Sequence, residues 1–198
     1  AYESVIETYA AAKSMSHCKI TGIDCHIGSQ ILDIQPYIDA LDRVFLLIES
    51  LQNDGIHIQH LDIGGGLGID YGGDIAPDIT QFANTLLNHI EAKGFGHLEV
   101  IFEPGRSLVG NAGVLLTTIE YLKPTEAKNF CVVDAAMNDL MRPAMYEAFH
   151  HIVPVVQKSI PQETYDVVGP VCETGDWLGK NRPLAVAPGD LLMILSAG

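Results

Sequence analysis

Three short apolar runs in the first half of the chain each end in a polar or glycine-rich cluster: His26-Ile27-Gly28-Ser29-Gln30, Gly64-Gly65-Gly66-Leu67-Gly68 and Glu103-Pro104-Gly105-Arg106. A run of glycines lets the backbone approach an anion and turn N–H groups toward it, which is phosphate chemistry. A strained turn into the next helix explains Gly64–Gly66 equally well. The run is no dinucleotide fingerprint, because Ile69 stands where the third glycine is needed, and no Gly-Lys-Ser/Thr follows. Ser29 offers a hydroxyl to the same anion, or caps a turn. His26 offers a flat aromatic face or a base, or is a hydrogen-bonded structural ring. Glu103 at a strand end suits a protonated ring nitrogen of an electron-sink cofactor. Arg106, three residues on, suits a carboxylate or phosphate in a bidentate fork; a Glu–Arg pair across the turn is the plainer alternative.

The second half adds two further groups. The chain has four arginines, and Arg142 lies in Asp139-Leu140-Met141-Arg142-Pro143-Ala144-Met145-Tyr146, with the phenol of Tyr146 one helical turn on. That pair fits a ligand carboxylate, or a solvated ion pair elsewhere. Gly169-Pro170-Val171-Cys172-Glu173-Thr174-Gly175-Asp176 is a polar loop behind an apolar strand. Cys172 is a candidate proton donor and Glu173 a candidate partner for an ammonium. A small buried hydrophobe is the commoner fate of a free cysteine.

The elements that must position these groups follow from periodicity. Ile20–Ile27, Ile58–Ile63 and Leu98–Phe102 read as strands. Pro36 opens a helix with Ile38, Leu41, Phe45, Ile48 and Leu51 on one face, closed by Gly55; Asp78 caps another with Ile79, Phe82, Leu86 and Ile90, closed by Gly94. Alternating strands and helices predict parallel strands with right-handed crossovers. Beyond about Arg106 the pattern changes to short strands at Val114–Leu122, Phe130–Val133, Ile152–Val156, Tyr165–Val168, Leu184–Ala187 and Leu191–Leu195, with one helical stretch at Asp139–Phe149. That predicts a mainly antiparallel β domain. The fold class is therefore α/β plus all-β, with residues 1–108 and 109–198 as the two parts. In a (β/α)8 barrel, ligand sites lie at the C-terminal ends of strands, so the three clusters are expected to converge.

A formal charge of −14 over 198 residues argues against nucleic acid, whose phosphates need clustered Lys and Arg. No long apolar run or basic amphipathic helix suggests a membrane. Cys18, Cys25, Cys131 and Cys172 form no CxxC pair, so reduced thiols in a cytoplasmic protein are the simplest expectation, with no metal site. A small soluble ligand is the default partner. The chain opens without Met and stops directly behind an apolar strand, and reads as a piece of a longer polypeptide.

Taken in order, His26-Ile-Gly-Ser-Gln30, Asp62-Ile-Gly-Gly-Gly-Leu-Gly68, Glu103-Pro-Gly-Arg106, Arg142-Pro-x-x-Tyr146 and Gly169-Pro-x-Cys-Glu-x-Gly-Asp176 resemble the pyridoxal-phosphate (PLP) decarboxylases of the alanine-racemase fold. The resemblance runs from about Gly22 to Gly198. Gln30-Ile31 after Gly-Ser, Cys-Glu in place of Cys-Asp, and Met137 through Tyr146 resemble the diaminopimelate branch of that family. Branches acting on ornithine, arginine or carboxynorspermidine share the architecture, and a catalytically silent PLP-binding relative is the rival from outside the enzymes.

The resemblance implies the end of a PLP-binding (β/α)8 barrel over residues 1–108, followed by an incomplete β-rich domain over 109–198. It implies that His26 stacks on the pyridine ring and Glu103 pairs with the ring nitrogen. Ser29, Gly64, Gly65, Gly66 and the backbone from Glu103 through Pro104 and Gly105 to Arg106 would hold the cofactor and its phosphate. Arg106, Arg142, Tyr146 and Glu173 would bind the substrate end that does not react. Cys172 would protonate the carbanion left by CO2 loss, acting in a neighbouring subunit's site within a homodimer. The implied reaction is meso-diaminopimelate to L-lysine and CO2. The family's Schiff-base lysine belongs to an early barrel strand, and none of the seven lysines here has that context, so the isolated piece is expected to be inactive.

Overall fold

The computed structural model describes residues 2–73 and 75–198. The chain divides into two compact units, Ala1–Ile69 with Ile75–Ser107, and Asp70–Asp74 with Leu108–Gly198.

In the first unit, helix α1 (Val5–Lys13) precedes strand β1 (Gly22–Asp24), helix α2 (Gln35–Asn53), strand β2 (His60–Asp62), helix α3 (Ile79–Ala92) and strand β3 (Glu99–Ile101). The strands form a parallel sheet in the order β1-β2-β3, with Ile23 beside Leu61 and Leu61 beside Val100. Helix α2 carries Pro36 in its first turn and buries Tyr37, Leu41, Val44, Phe45, Ile48 and Leu51. Helix α3 starts where the Asp78 carboxylate accepts the N–H of Gln81 at 2.7 Å, and buries Phe82, Leu86 and Ile90. Both faces pack with Ile23, Leu61 and Ile63 in one core. Each large side chain so buried stabilises the unit by about 1.5–3 kcal/mol. The helical spacing in the sequence matches these faces except at Ile79, which stands exposed in the first turn of α3; an amphipathic helix has only one way to hide its apolar stripe.

Helix α4 (Gly105–Val109) follows β3. The second unit holds six strands: β4 (Val114–Pro124), β5 (Asn129–Val133), β6 (Ile152–Pro154), β7 (Glu163–Val168), β8 (Trp177–Leu184) and β9 (Leu191–Leu195), with helix α5 (Arg142–Tyr146) between β5 and β6. Their order is β6-β9-β4-β5-β7-β8. Four neighbouring pairs are antiparallel and one, β5–β7, is parallel. The core gathers Ile119, Cys131, Val133, Val167, Leu178, Leu192 and Ile194.

Two local expectations are corrected. The strand expected at Leu184–Ala187 instead runs from Trp177 to Leu184, ending where the apolar run begins. Its pairing with β7 supplies the backbone bonds, while irregular register there accommodates Gly179 and Asn181. The helix expected over Asp139–Phe149 is one turn, Arg142–Tyr146, because Glu147 takes a left-handed conformation (φ 52°) that ends it.

Candidate functional site

Two of the strands that form the first sheet end in an acid, and the third is followed two residues later by one. Asp24, Asp62 and Glu103 bring their carboxylates within 4.8 Å of one another, from the ends of β1, β2 and β3. The neighbouring Cys25 thiol is pushed up to about 11, by burial first and then by Asp24 and Asp62, so it is a neutral thiol near pH 7. Asp62 accepts the N–H of Gly64 at 2.8 Å. Glu103 is exposed and its carboxylate has no hydrogen-bond partner among the described residues.

The glycine run is the junction on which the other two clusters close. A side chain on Gly64 would overlap the Cys25 carbonyl, one on Gly65 the Glu103 carbonyl, and one on Gly66 the Gly28 carbonyl. Gly64 (φ 74°) and Gly66 (φ 92°) also take backbone conformations that disfavour a Cβ. The N–H of Glu103 donates to the Gly64 carbonyl at 2.9 Å, and the N–H of Ile31 to the Gly66 carbonyl at 2.9 Å. Tyr37 donates its hydroxyl to the Gly65 carbonyl at 3.0 Å. The side-chain amide of Gln30 pairs with Ile69 on both its N–H (3.3 Å) and its carbonyl (2.6 Å), sewing the two loops together as a strand would.

Polar groups gather on this junction. The N–H of Gly65 donates to Nδ1 of His26 at 3.3 Å, which leaves the proton of a neutral ring on Nε2. That bond fixes the plane of an exposed ring. Arg106 donates to the Ser29 hydroxyl at 2.7 Å, a choice spacing alone did not indicate. The N–H of Gly66 donates to no group among the described residues. Pro104 and Gly105 carry the chain from Glu103 into α4. His26, Ser29, Gly64, Gly65, Gly66, Glu103, Pro104, Gly105 and Arg106 thus lie in one neighbourhood of the first unit.

Arg142, Tyr146, Cys172 and Glu173 belong to the second unit. The Arg142 guanidinium lies 5.5 Å from the centre of the Tyr146 ring and 5.9 Å from that of Tyr71. Its Nε is fully buried without a hydrogen-bond partner, and it enters no ion pair among the described residues. In a chain with 25 acids against 11 basic side chains, a part-buried arginine without an acid is poised for an anion from outside. Cys172 and Glu173 are both exposed.

Sequence reasoning passes over Asp24 and Tyr71, and gives Asp62 and Asp176 no role. A signal for the acids exists in the recurrence of Asp24, Asp62 and Glu103 at or just past the strand ends. Tyr71 carries none, since its partner Arg142 is distant in sequence.

The chain matches the family described as "Pyridoxal-dependent decarboxylase, C-terminal sheet domain" over residues 5–198. It is 50% identical over 197 residues to a diaminopimelate decarboxylase of Vibrio cholerae, covering 100% of this chain and 47% of that protein. It is 52% identical over 198 residues to one from Neisseria meningitidis, covering 100% of this chain and 48% of that protein. The chain spans about half the length of these relatives. Among solved structures, a Helicobacter pylori diaminopimelate decarboxylase complexed with L-lysine superposes with a TM-score of 0.88 at 35% identity, covering 100% of this chain and 48% of that one. The enzyme from M. jannaschii superposes with 0.90 at 38%, covering 99% and 46%.

Proposed function

Because the chain belongs to the pyridoxal-dependent decarboxylases of the type that acts on ornithine, diaminopimelate and arginine, we propose that the enzyme built on it converts meso-diaminopimelate to L-lysine and CO2. Residues 1–108 are the closing part of a (β/α)8 barrel in this reading, and 109–198 an incomplete β-rich domain that follows it. The enzyme is a cytoplasmic homodimer whose active sites are shared between subunits. Among the described residues no helix is long and apolar enough to cross a membrane.

The donor set fits PLP. The exposed His26 ring, held edge-on by Gly65, offers a flat face to a pyridine. Glu103, without a side-chain hydrogen bond among the described residues and close to Asp24 and Asp62, suits a protonated ring nitrogen. Ser29, Arg106 and the N–H of Gly66, which donates to no group among the described residues, suit a phosphate. When bound, the cofactor supplies the sink for the electron pair left by CO2 loss.

The protein's own residues do the rest. Glu103 would hold the ring nitrogen of a bound cofactor protonated by placing negative charge beside it. Arg142, flanked by Tyr71 and Tyr146, takes the distal carboxylate of the substrate, and Glu173 takes the distal ammonium. Cys172 delivers a proton to the carbon that has lost CO2. The observation that carries the substrate assignment is Arg142. A buried-edge guanidinium without an acid partner among the described residues penalises any substrate that leaves it unpaired, which disfavours amines lacking a second carboxylate.

The test offers meso-diaminopimelate, L-ornithine and L-arginine separately to the PLP-loaded full-length enzyme and follows CO2 and the amine product. Lysine from diaminopimelate alone is the expected result. Preference for ornithine or arginine would overturn the role of Arg142, and release from none would favour a silent PLP-binding relative.

A further inference from the structure

Asp176 is 4% exposed, one of four buried polar side chains among the described residues. A buried carboxylate is costly unless its oxygens are satisfied. Here each oxygen accepts a backbone N–H at 2.7 Å, Oδ1 from Met137 and Oδ2 from Val171. The two donors lie in different segments. Val171 immediately precedes Cys172 and Glu173; Met137 lies in the turn that leads into Arg142.

Both segments are themselves tightly turned. The N–H of Gly169 donates to the Asp176 carbonyl at 3.2 Å, that of Glu173 to the Val171 carbonyl at 2.8 Å, and that of Asp176 to the Glu173 carbonyl at 3.0 Å. The Glu173 carboxylate accepts the N–H of Gly175 at 3.3 Å. In the other segment the N–H of Ala136 donates to Asp139 at 2.9 Å, and that of Asp139 returns to the Ala136 carbonyl at 2.9 Å. A Cβ on Gly169 would crowd Asp176 Oδ2, the Ala135 carbonyl and the Ala136 Cα together, so glycine is required where the segments meet.

We infer that Asp176 is a positioning residue: its carboxylate locks the loop bearing Cys172 and Glu173 to the turn that leads into Arg142. The inference rests on the decarboxylase reading for its catalytic consequence. A thiol exposed at the middle of an eight-residue loop has no fixed direction of its own, and the two 2.7 Å bonds supply one. Asparagine at 176 keeps the shape, but only one of its two terminal atoms accepts, so one segment is released.

The test is a double-mutant cycle in the PLP-loaded full-length enzyme. Asp176→Asn is expected to lower kcat about 10- to 100-fold through misplacement of the thiol. Cys172→Ala lowers kcat as well, and the double variant turns over no more slowly than Cys172→Ala alone, because Asp176 acts through Cys172. Multiplying losses in the double variant overturn the lock. A general structural role would not produce this non-additivity. Unchanged turnover in Cys172→Ala would instead sink the proton-donor reading, and the lock is then judged by amide exchange in the unmutated protein. That measurement also decides the matter where Asp176→Asn does not fold. The Met137 and Val171 amides are expected to exchange within about threefold of each other, as one opening unit. Rates more than about tenfold apart would show that no shared acceptor holds them.

Discussion

Tyr71 lies against the guanidinium of Arg142, which sits 5.9 Å from the centre of its ring, while the same ring meets His150 edge-on at 4.9 Å. The arginine is thereby held by aromatic faces, with no acid in ion-pair distance among the described residues, and in the proposed function its charge is met by the substrate. Replacing Arg142 by Gln is expected to raise KM for diaminopimelate about 10- to 100-fold, the worth of a hydrogen-bonded charge. Tyr71→Leu keeps the charge and loses the ring, with an increase of about threefold. Steady-state kinetics on both variants check the order; an unchanged KM in Arg142→Gln removes it from recognition.

The glycine junction makes a steric prediction. Gly65→Ala drives a methyl into the Glu103 carbonyl, and the backbones of two strand ends must separate. Overpacking of this kind costs about 1–3 kcal/mol. Gly175→Ala meets only a Glu173 side-chain carbon at 3.9 Å and is expected to stay within about 0.5 kcal/mol. Thermal melts of the two variants should separate them clearly, and the absorbance of bound PLP should weaken only in the first.

The four thiols should divide into two classes. Burial pushes Cys131 up to about 12, and burial together with Asp24 and Asp62 pushes Cys25 to about 11, whereas Cys18 and Cys172 are exposed. Thiolate, not thiol, is the nucleophile. At pH 8, iodoacetamide is expected to label Cys18 and Cys172 in minutes and to leave Cys25 and Cys131 intact until the protein is unfolded. Peptide mapping by mass spectrometry reads this directly, and early labelling of Cys131 would contradict the core packing.

Acid sensitivity of the β unit should trace in part to Asp134. Its carboxylate accepts the Thr117 hydroxyl at 2.6 Å and the Thr118 N–H at 2.7 Å. These bonds, Thr117 first, hold its pKa below the ordinary 3.8. The unfolded chain therefore binds this proton more readily than the folded one. The stabilisation is fully present above the unfolded value and is lost as pH falls through the lower folded value. The Tm gap between the natural protein and Asp134→Asn should be widest near neutrality and narrow below about pH 4. A gap that stays constant with pH would assign the effect to shape alone.

Much of the framework was legible in the residues. The stripes of α2 and α3, the Asp78 cap and the short apolar runs of β1 to β3 are local patterns, and local patterns follow from 3.6-residue and two-residue periodicity. The run Trp177–Leu184 was not, because Gly179, Lys180 and Asn181 carry no strand pattern; pairing with β7 makes it one. Nor was the true extent of α5, which depends on a single left-handed residue.

By itself the sequence determined the types of group available: a ring at His26, an acid at Glu103, arginines at 106 and 142, a thiol at Cys172. It also determined the order of motifs that marks the family. Tertiary structure alone decided what each group faces. Arg106 turns to Ser29, Arg142 to Tyr71, and Asp176 to the N–H of Met137. Each is a contact between segments distant along the chain, and such contacts form only when strand register and core packing have fixed both partners, which no local periodicity encodes.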